Sequence, residues 1–153
     1  MSTPSERLAA LGLTLPPVAP PQAAYVPAVR TGNYVYVSGQ LPLADGKLQA
    51  TGKVGDTVSV EEAASLARLC ALNGLAAAAS VAGGLDAIRR IVKVTGFVAS
   101  VPSFTGQPAV INGASEFLIE VFGEAGRHAR SAVGMAVLPL DTPVEVELIA
   151  EVA

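Results

Sequence analysis

The sequence predicts a two-layer α+β domain: one mixed β-sheet with two helices on one face, in the order β-β-α-β-α-β-β. Three observations carry this reading. Runs of alternating apolar and polar residues, rich in β-branched side chains, recur along the chain and mark strands. Two of the intervals between them carry apolar residues at helical spacing, and strands alternating with helices require at least one parallel crossover. Finally, 51% of the residues are apolar and only 15% are charged. That surplus exceeds what one helix-covered sheet face can hide, so the other face is expected to be covered by copies of the same chain.

At 153 residues the length fits one domain with a sizeable core. Its first 20 or so residues read as a short helix and a connector. The helix, from about Thr3 to Leu13, is capped by Thr3 or Ser5, and LPPVAPPQAA follows as an extended Pro-rich segment lying over the surface. Tyr25 to Val29 and Tyr34 to Gln40 read as a hairpin around Arg30-Thr31-Gly32-Asn33. At Gly39 the missing side chain allows a ligand or another backbone to approach closely.

The first long helix starts at a capping box, Ser59 with Glu62, and stops at Gly83-Gly84. Leu66, Leu69, Cys70, Ala76, Ala77 and Val81 form its apolar face, and the many alanines allow close packing on a sheet. Cys70 on that face reads as a buried thiol, with no basic partner to make it a nucleophile. Ile88 to Ser100 is a strand. A second helix runs from about Gln107 to Phe122, with Pro108 in its first turn and Asn112 beside its apolar stripe.

The last quarter of the chain reads as two strands forming a hairpin across LPLDTP. In the first, Arg130 shares a face with Ala132, Gly134 and Ala136; in the second, Glu145 and Glu147 interrupt an apolar strand. Small residues around an arginine leave room for a ligand, and a fixed guanidinium grips a carboxylate bidentately. The residues alone leave a second possibility open, an edge-strand arginine paired with one of these glutamates.

Composition excludes several classes. The net charge is −3 and no basic cluster exceeds Arg89-Arg90, whereas nucleic-acid binding needs a positive surface. One His and one Cys do not make a zinc ligand set, and Gly83-Gly84 is no phosphate-binding loop. Asn73, Gly74 and Ser80 break the apolar runs below the ~20 residues of a membrane span. Without a basic segment ahead of an apolar core, no secretory signal is expected. A lone cysteine fits a reducing, cytoplasmic location.

The segments AAYVPAVRTGNYVYVSGQLPL, RIVKVTGFVAS and RHARSAVGMAVLPLDTPVEVELIA together resemble the YjgF/RidA family of reactive enamine/imine deaminases, from about Pro20 to Val152. The longer N-terminal piece, with ERLAALGLTLP, resembles one branch of that family. The resemblance implies a chorismate-mutase-like fold assembled as a homotrimer, with sites at the clefts between subunits. It also implies cofactor-free hydrolysis of 2-aminoacrylate and related imines to 2-keto acids and ammonia. By position, Arg130 matches the arginine that holds the substrate carboxylate, and Glu145 the acidic residue that handles the attacking water. Tyr25 matches the site tyrosine, Gly39 the backbone N–H near the carboxylate, and Asn112 the asparagine of the second helix. Ala132 stands where many relatives have Cys; its carbonyl can still orient water, but a thiol's role is lost. Two other functions are weighed against hydrolysis: a trimer that binds 2-keto acids or other small carboxylates without turnover, and, against the charge balance, an endoribonuclease.

Overall fold

The structure, a computed structural model, describes residues 1–21 and 23–153. Gln22, within the Pro-rich connector, lies outside the described residues. Helix α1 (Pro4–Ala10) is capped by Thr3, whose hydroxyl accepts from Glu6 N–H while the Glu6 carboxylate accepts from Thr3 N–H. Strands β1 (Ala28–Thr31) and β2 (Tyr34–Gln40) form the expected hairpin, turning at Gly32 with φ +57°. Strand β1 begins three residues later than the alternation suggested, which leaves Tyr25 in the preceding bend. A small hairpin absent from the sequence reading follows, β3 (Leu43–Ala44) and β4 (Lys47–Leu48). Its turn residues Asp45 and Gly46 both have positive φ, the backbone that an Asp-Gly turn favours.

Helix α2 (Val60–Ala82) starts at Ser59, whose hydroxyl accepts from Glu62 N–H, and ends at Gly83 with φ +94°. Strand β5 (Ile88–Ala99) and helix α3 (Gln107–Phe122) lie where the sequence placed them. Strands β6 (Ala129–Met135) and β7 (Val144–Val152) complete the chain.

The main sheet has the order β1-β2-β7-β5-β6. This corrects the terminal hairpin, because β6 pairs in parallel with β5 while β7 lies antiparallel between β2 and β5. The LPLDTP connector is therefore no hairpin turn. Leu140 and Asp141 both adopt positive φ, 58° and 57°, and carry the chain across the end of β5. Helix α3 makes the parallel crossover from β5 to β6. Helix α2 joins β2 to β5, which run the same way on either side of β7.

Both long helices cover one sheet face. Val144, Val146, Leu148, Ala150 and Val152 alternate inward along β7, and Phe117, Leu75, Ile91, Ile111 and Leu118 fill the space beneath the helices. By length and composition α2 could cross a membrane, with 23 residues and a hydropathy of 1.4, contrary to the expectation that Asn73, Gly74 and Ser80 interrupt it. It serves as the core helix, since Asn73 and Gly74 are themselves buried. Asn73 Nδ2 donates to the Leu41 and Leu43 carbonyls. The opposite sheet face is bare: Val29, Tyr34, Tyr36 and Val133 are exposed. A hollow of about 280 Å³, lined by Tyr36, Ser38, Lys93, Thr95 and Glu147, opens on it.

The helices approach closely at Gly113, where an added Cβ would collide with the Ala64 carbonyl. That neighbour is backbone and cannot rotate away. Gly113→Ala is expected to destabilise the fold by about 1–3 kcal/mol, despite the better helix propensity of alanine. Chemical denaturation checks this; an unchanged or raised midpoint would show that the helices can separate at little cost.

Cys70 is fully buried, with Sγ 3.9 Å from the Val144 carbonyl. Burial, and secondarily the Glu145 charge, push its thiol well above the ordinary value, so almost no thiolate forms near neutral pH. Cys70→Ala is expected to lose about 1–2 kcal/mol of stability through a small cavity. Iodoacetamide should label the wild type only on unfolding; rapid labelling of the folded protein would contradict the burial.

Candidate active site

Residues opposite one another across a ladder share a sheet face. Arg130 on β6 lies opposite Val94, and Val94 lies opposite Leu148; Val94 and Leu148 are buried under the helices. Arg130 is therefore on the helix side, at the sheet edge, where α3 provides its partners. Its Nη1 donates to Asn112 Oδ1 at 2.8 Å and to Ser115 Oγ at 3.3 Å. Ser115 Oγ lies 2.8 Å from His128 Nε2, and His128 Nδ1 lies 2.6 Å from the Gly126 carbonyl. Ala132, two residues beyond Arg130 and opposite Gly96, is half-buried on the same side. Among the described residues Arg130 enters no ion pair; those present join Lys53 to Asp141, Arg68 to Glu120 and Arg127 to Glu124. The arginine–glutamate pair left open by the residues is not what forms.

Glu145 lies on the other face. It stands opposite Phe97, and Phe97 opposite Val133, so the strands carry these three toward the bare side. Burial, and then the Glu147 charge, raise its carboxyl above the ordinary value. Between Val37 and Gln40 the register of β2 against β7 shifts, and Gly39 falls in this irregularity. A Cβ on Gly39 would collide with the Glu145 carboxylate, so the bare backbone is what admits that carboxylate. Gly39 and Tyr25 together line a narrow crevice with Pro27, Gln40 and Leu41.

The six residues singled out from the sequence thus form two groups within one chain. Arg130, Asn112 and Ala132 stand on the helix side of the edge, while Glu145, Gly39 and Tyr25 stand beyond the opposite face and near the β2 bulge. Three residues along the strands and two strand spacings across separate Arg130 from Glu145, about 10 Å in each direction. Sequence reasoning missed Ser115 and His128. Their spacing could have found them: Ser115 is three residues beyond Asn112 on one helix face, and His128 is two before Arg130, just ahead of the strand that carries it. Among the described residues no three His, Cys, Asp or Glu side chains converge as metal ligands.

A helical pair over one face of a five-stranded mixed sheet, with a polar-clasped arginine on the edge strand, defines the class as a chorismate-mutase-like α+β domain. The family described as "YjgF/chorismate mutase-like, putative endoribonuclease" matches residues 5–152. The chain is 46% identical over 142 residues to Protein TCP17 of Trypanosoma cruzi, covering 92% of this chain and 89% of that protein. It is 37% identical over 142 residues to the mitochondrial Protein MMF1 of Saccharomyces cerevisiae, covering 90% and 84%. Among solved structures, a protein of unknown function from Agrobacterium tumefaciens superposes with a TM-score of 0.89 at 52% identity, covering 98% of this chain and 92% of that one. TdcF from E. coli, with bound serine, superposes with a TM-score of 0.65 at 29% identity, covering 89% and 94%. The chain belongs to the YjgF/RidA family.

Proposed function

We propose that this protein is a hydrolytic deaminase of 2-imino and 2-enamino acids such as 2-aminoacrylate, releasing the 2-keto acid and ammonia, and that it works as a cytoplasmic homotrimer. The observation that carries the reading is the state of Arg130. Asn112 and Ser115 engage its Nη1, and among the described residues no carboxylate pairs with it. A 2-imino acid bears a carboxylate next to its electrophilic carbon, so a bidentate grip there fixes the position of the reacting atom. With the substrate as its imine tautomer, ionised Glu145 takes a proton from water as the oxygen adds to the C=N carbon and returns it to the nitrogen. The carbinolamine then forms C=O as its C–N bond breaks, its hydroxyl proton passing through Glu145 to the departing ammonia. Gly39 N–H and Tyr25 complete the grip on the substrate, Asn112 holds the anchor, and the Ala132 carbonyl helps to orient water. Because Arg130 and Glu145 face opposite ways in one chain, each site takes its arginine from one subunit and its glutamate from the next. The bare sheet face supplies the apolar surface for that assembly.

Serine bound to TdcF supports a site for a small amino-acid-like carboxylate in this family. The endoribonuclease reading has less support: a polyanion is poorly matched by a net charge of −3. Coupling the protein to a dehydratase that generates 2-aminoacrylate, and following pyruvate, tests the proposal. Pyruvate should appear faster than by spontaneous hydrolysis, in proportion to protein added. An unchanged rate, with 2-ketobutyrate still binding, would favour the non-catalytic carboxylate-binding trimer.

A further inference from the structure

We infer that Ser115 and His128 are positioning residues, a hydrogen-bonded relay that sets the rotation of the Arg130 guanidinium; this rests on the reading of Arg130 as the carboxylate anchor. The relay has a direction that can be worked out from its ends. The Gly126 carbonyl can only accept, so the proton at the 2.6 Å contact sits on His128 Nδ1. A neutral imidazole protonated there has Nε2 as an acceptor, and the Ser115 hydroxyl at 2.8 Å donates to it. This uses the only proton Ser115 has. Its lone pairs then face Arg130, whose Nη1 donates at 3.3 Å while also donating to Asn112 Oδ1 at 2.8 Å.

The consequence lies in guanidinium geometry. Both Nη1 protons are in the guanidinium plane, so two acceptors in fixed positions define that plane. With Nη1 occupied, the two parallel N–H bonds of Nε and Nη2 remain as the fork for a carboxylate. A serine hydroxyl without His128 has no assigned direction: it can turn its proton toward Arg130, or bond back to its own helix. Burial, opposed in part by the Gly126 carbonyl and reinforced by the Arg130 charge, holds the imidazole below its ordinary value. It is therefore neutral, the form the relay needs. Ser115, His128 and Arg130 also line a shallow basin of about 220 Å³ with Ile119 and Arg127, so the relay stands at a solvent-open mouth and not deep in the core.

The test compares His128→Phe, His128→Gln and Ser115→Ala in the wild-type and Arg130→Ala backgrounds, with 2-aminoacrylate hydrolysis and the side-chain ¹⁵N spectrum of Arg130 as readouts. His128→Phe and Ser115→Ala should raise KM by about tenfold with kcat little changed, the mark of a loosened anchor. His128→Gln offers an amide oxygen in place of Nε2 and should restore most of the loss. In the Arg130→Ala background, His128→Phe should cost nothing further, because the relay acts only through the arginine. An unchanged KM in both single variants, no rescue by glutamine, or additive losses would each overturn the relay. If Arg130→Ala keeps full activity, or no variant hydrolyses imines, the anchor reading falls, and the relay is judged by the spectrum. Slow guanidinium rotation in the wild type that becomes fast in His128→Phe upholds it, and equal rotation in both overturns it.

Discussion

Arg130→Lys is expected to lose almost as much activity as Arg130→Ala, on the order of 2–4 kcal/mol in kcat/KM. Lysine keeps the charge but has no fork, so it cannot align a carboxylate by two parallel bonds. It also cannot give Asn112 and Ser115 the two coplanar protons that hold the guanidinium in place. Thermal unfolding should change little, because Arg130 sits at the sheet edge and closes no ion pair among the described residues. A structural arginine predicts the reverse, with activity kept and stability lowered. Measuring imine hydrolysis and Tm on the same two variants separates these outcomes, and a fully active Arg130→Ala would end the anchor reading.

Mixing two inactive variants should restore activity. In a trimer whose sites each draw Arg130 from one subunit and Glu145 from its neighbour, Arg130→Ala and Glu145→Gln subunits refolded together at equal ratio rebuild some intact sites. Random assembly yields about a quarter of the wild-type sites, against almost none for either variant alone. Sedimentation equilibrium of the wild type should accompany the test and give about three times the 15.4 kDa chain mass. A monomer, or a mixture no more active than its components, would mean that one chain closes its own site. That would require β6 or the β2 bulge to move, since the register puts the two side chains on opposite faces.

Local signals were legible in the sequence because they are settled within a few residues. Ser59 and Gly83 mark the ends of α2, and α3 spans the residues that its helical stripe suggested. At each the deciding interaction is a cap, a turn or an i,i+4 contact. Tyr25 was misplaced because alternation continues upstream of the pairing, and only hydrogen bonding to β2 decides that β1 starts at Ala28.

What the tertiary structure alone decided is the neighbourhood of each strand. LPLDTP has the composition of a hairpin turn, yet β7 pairs between β2 and β5 and not with β6. No local propensity encodes that choice, because the partner strands lie far away in sequence. The same step separates Arg130 from Glu145 and gives Arg130 to Asn112, Ser115 and His128. The sequence by itself determined the residue types of the chemistry, the helices and the two-residue period that assigns each side chain to a face. Which face is covered, and which side chains meet on it, depended on long-range pairing and on the α3 crossover that brings Ser115 over β6.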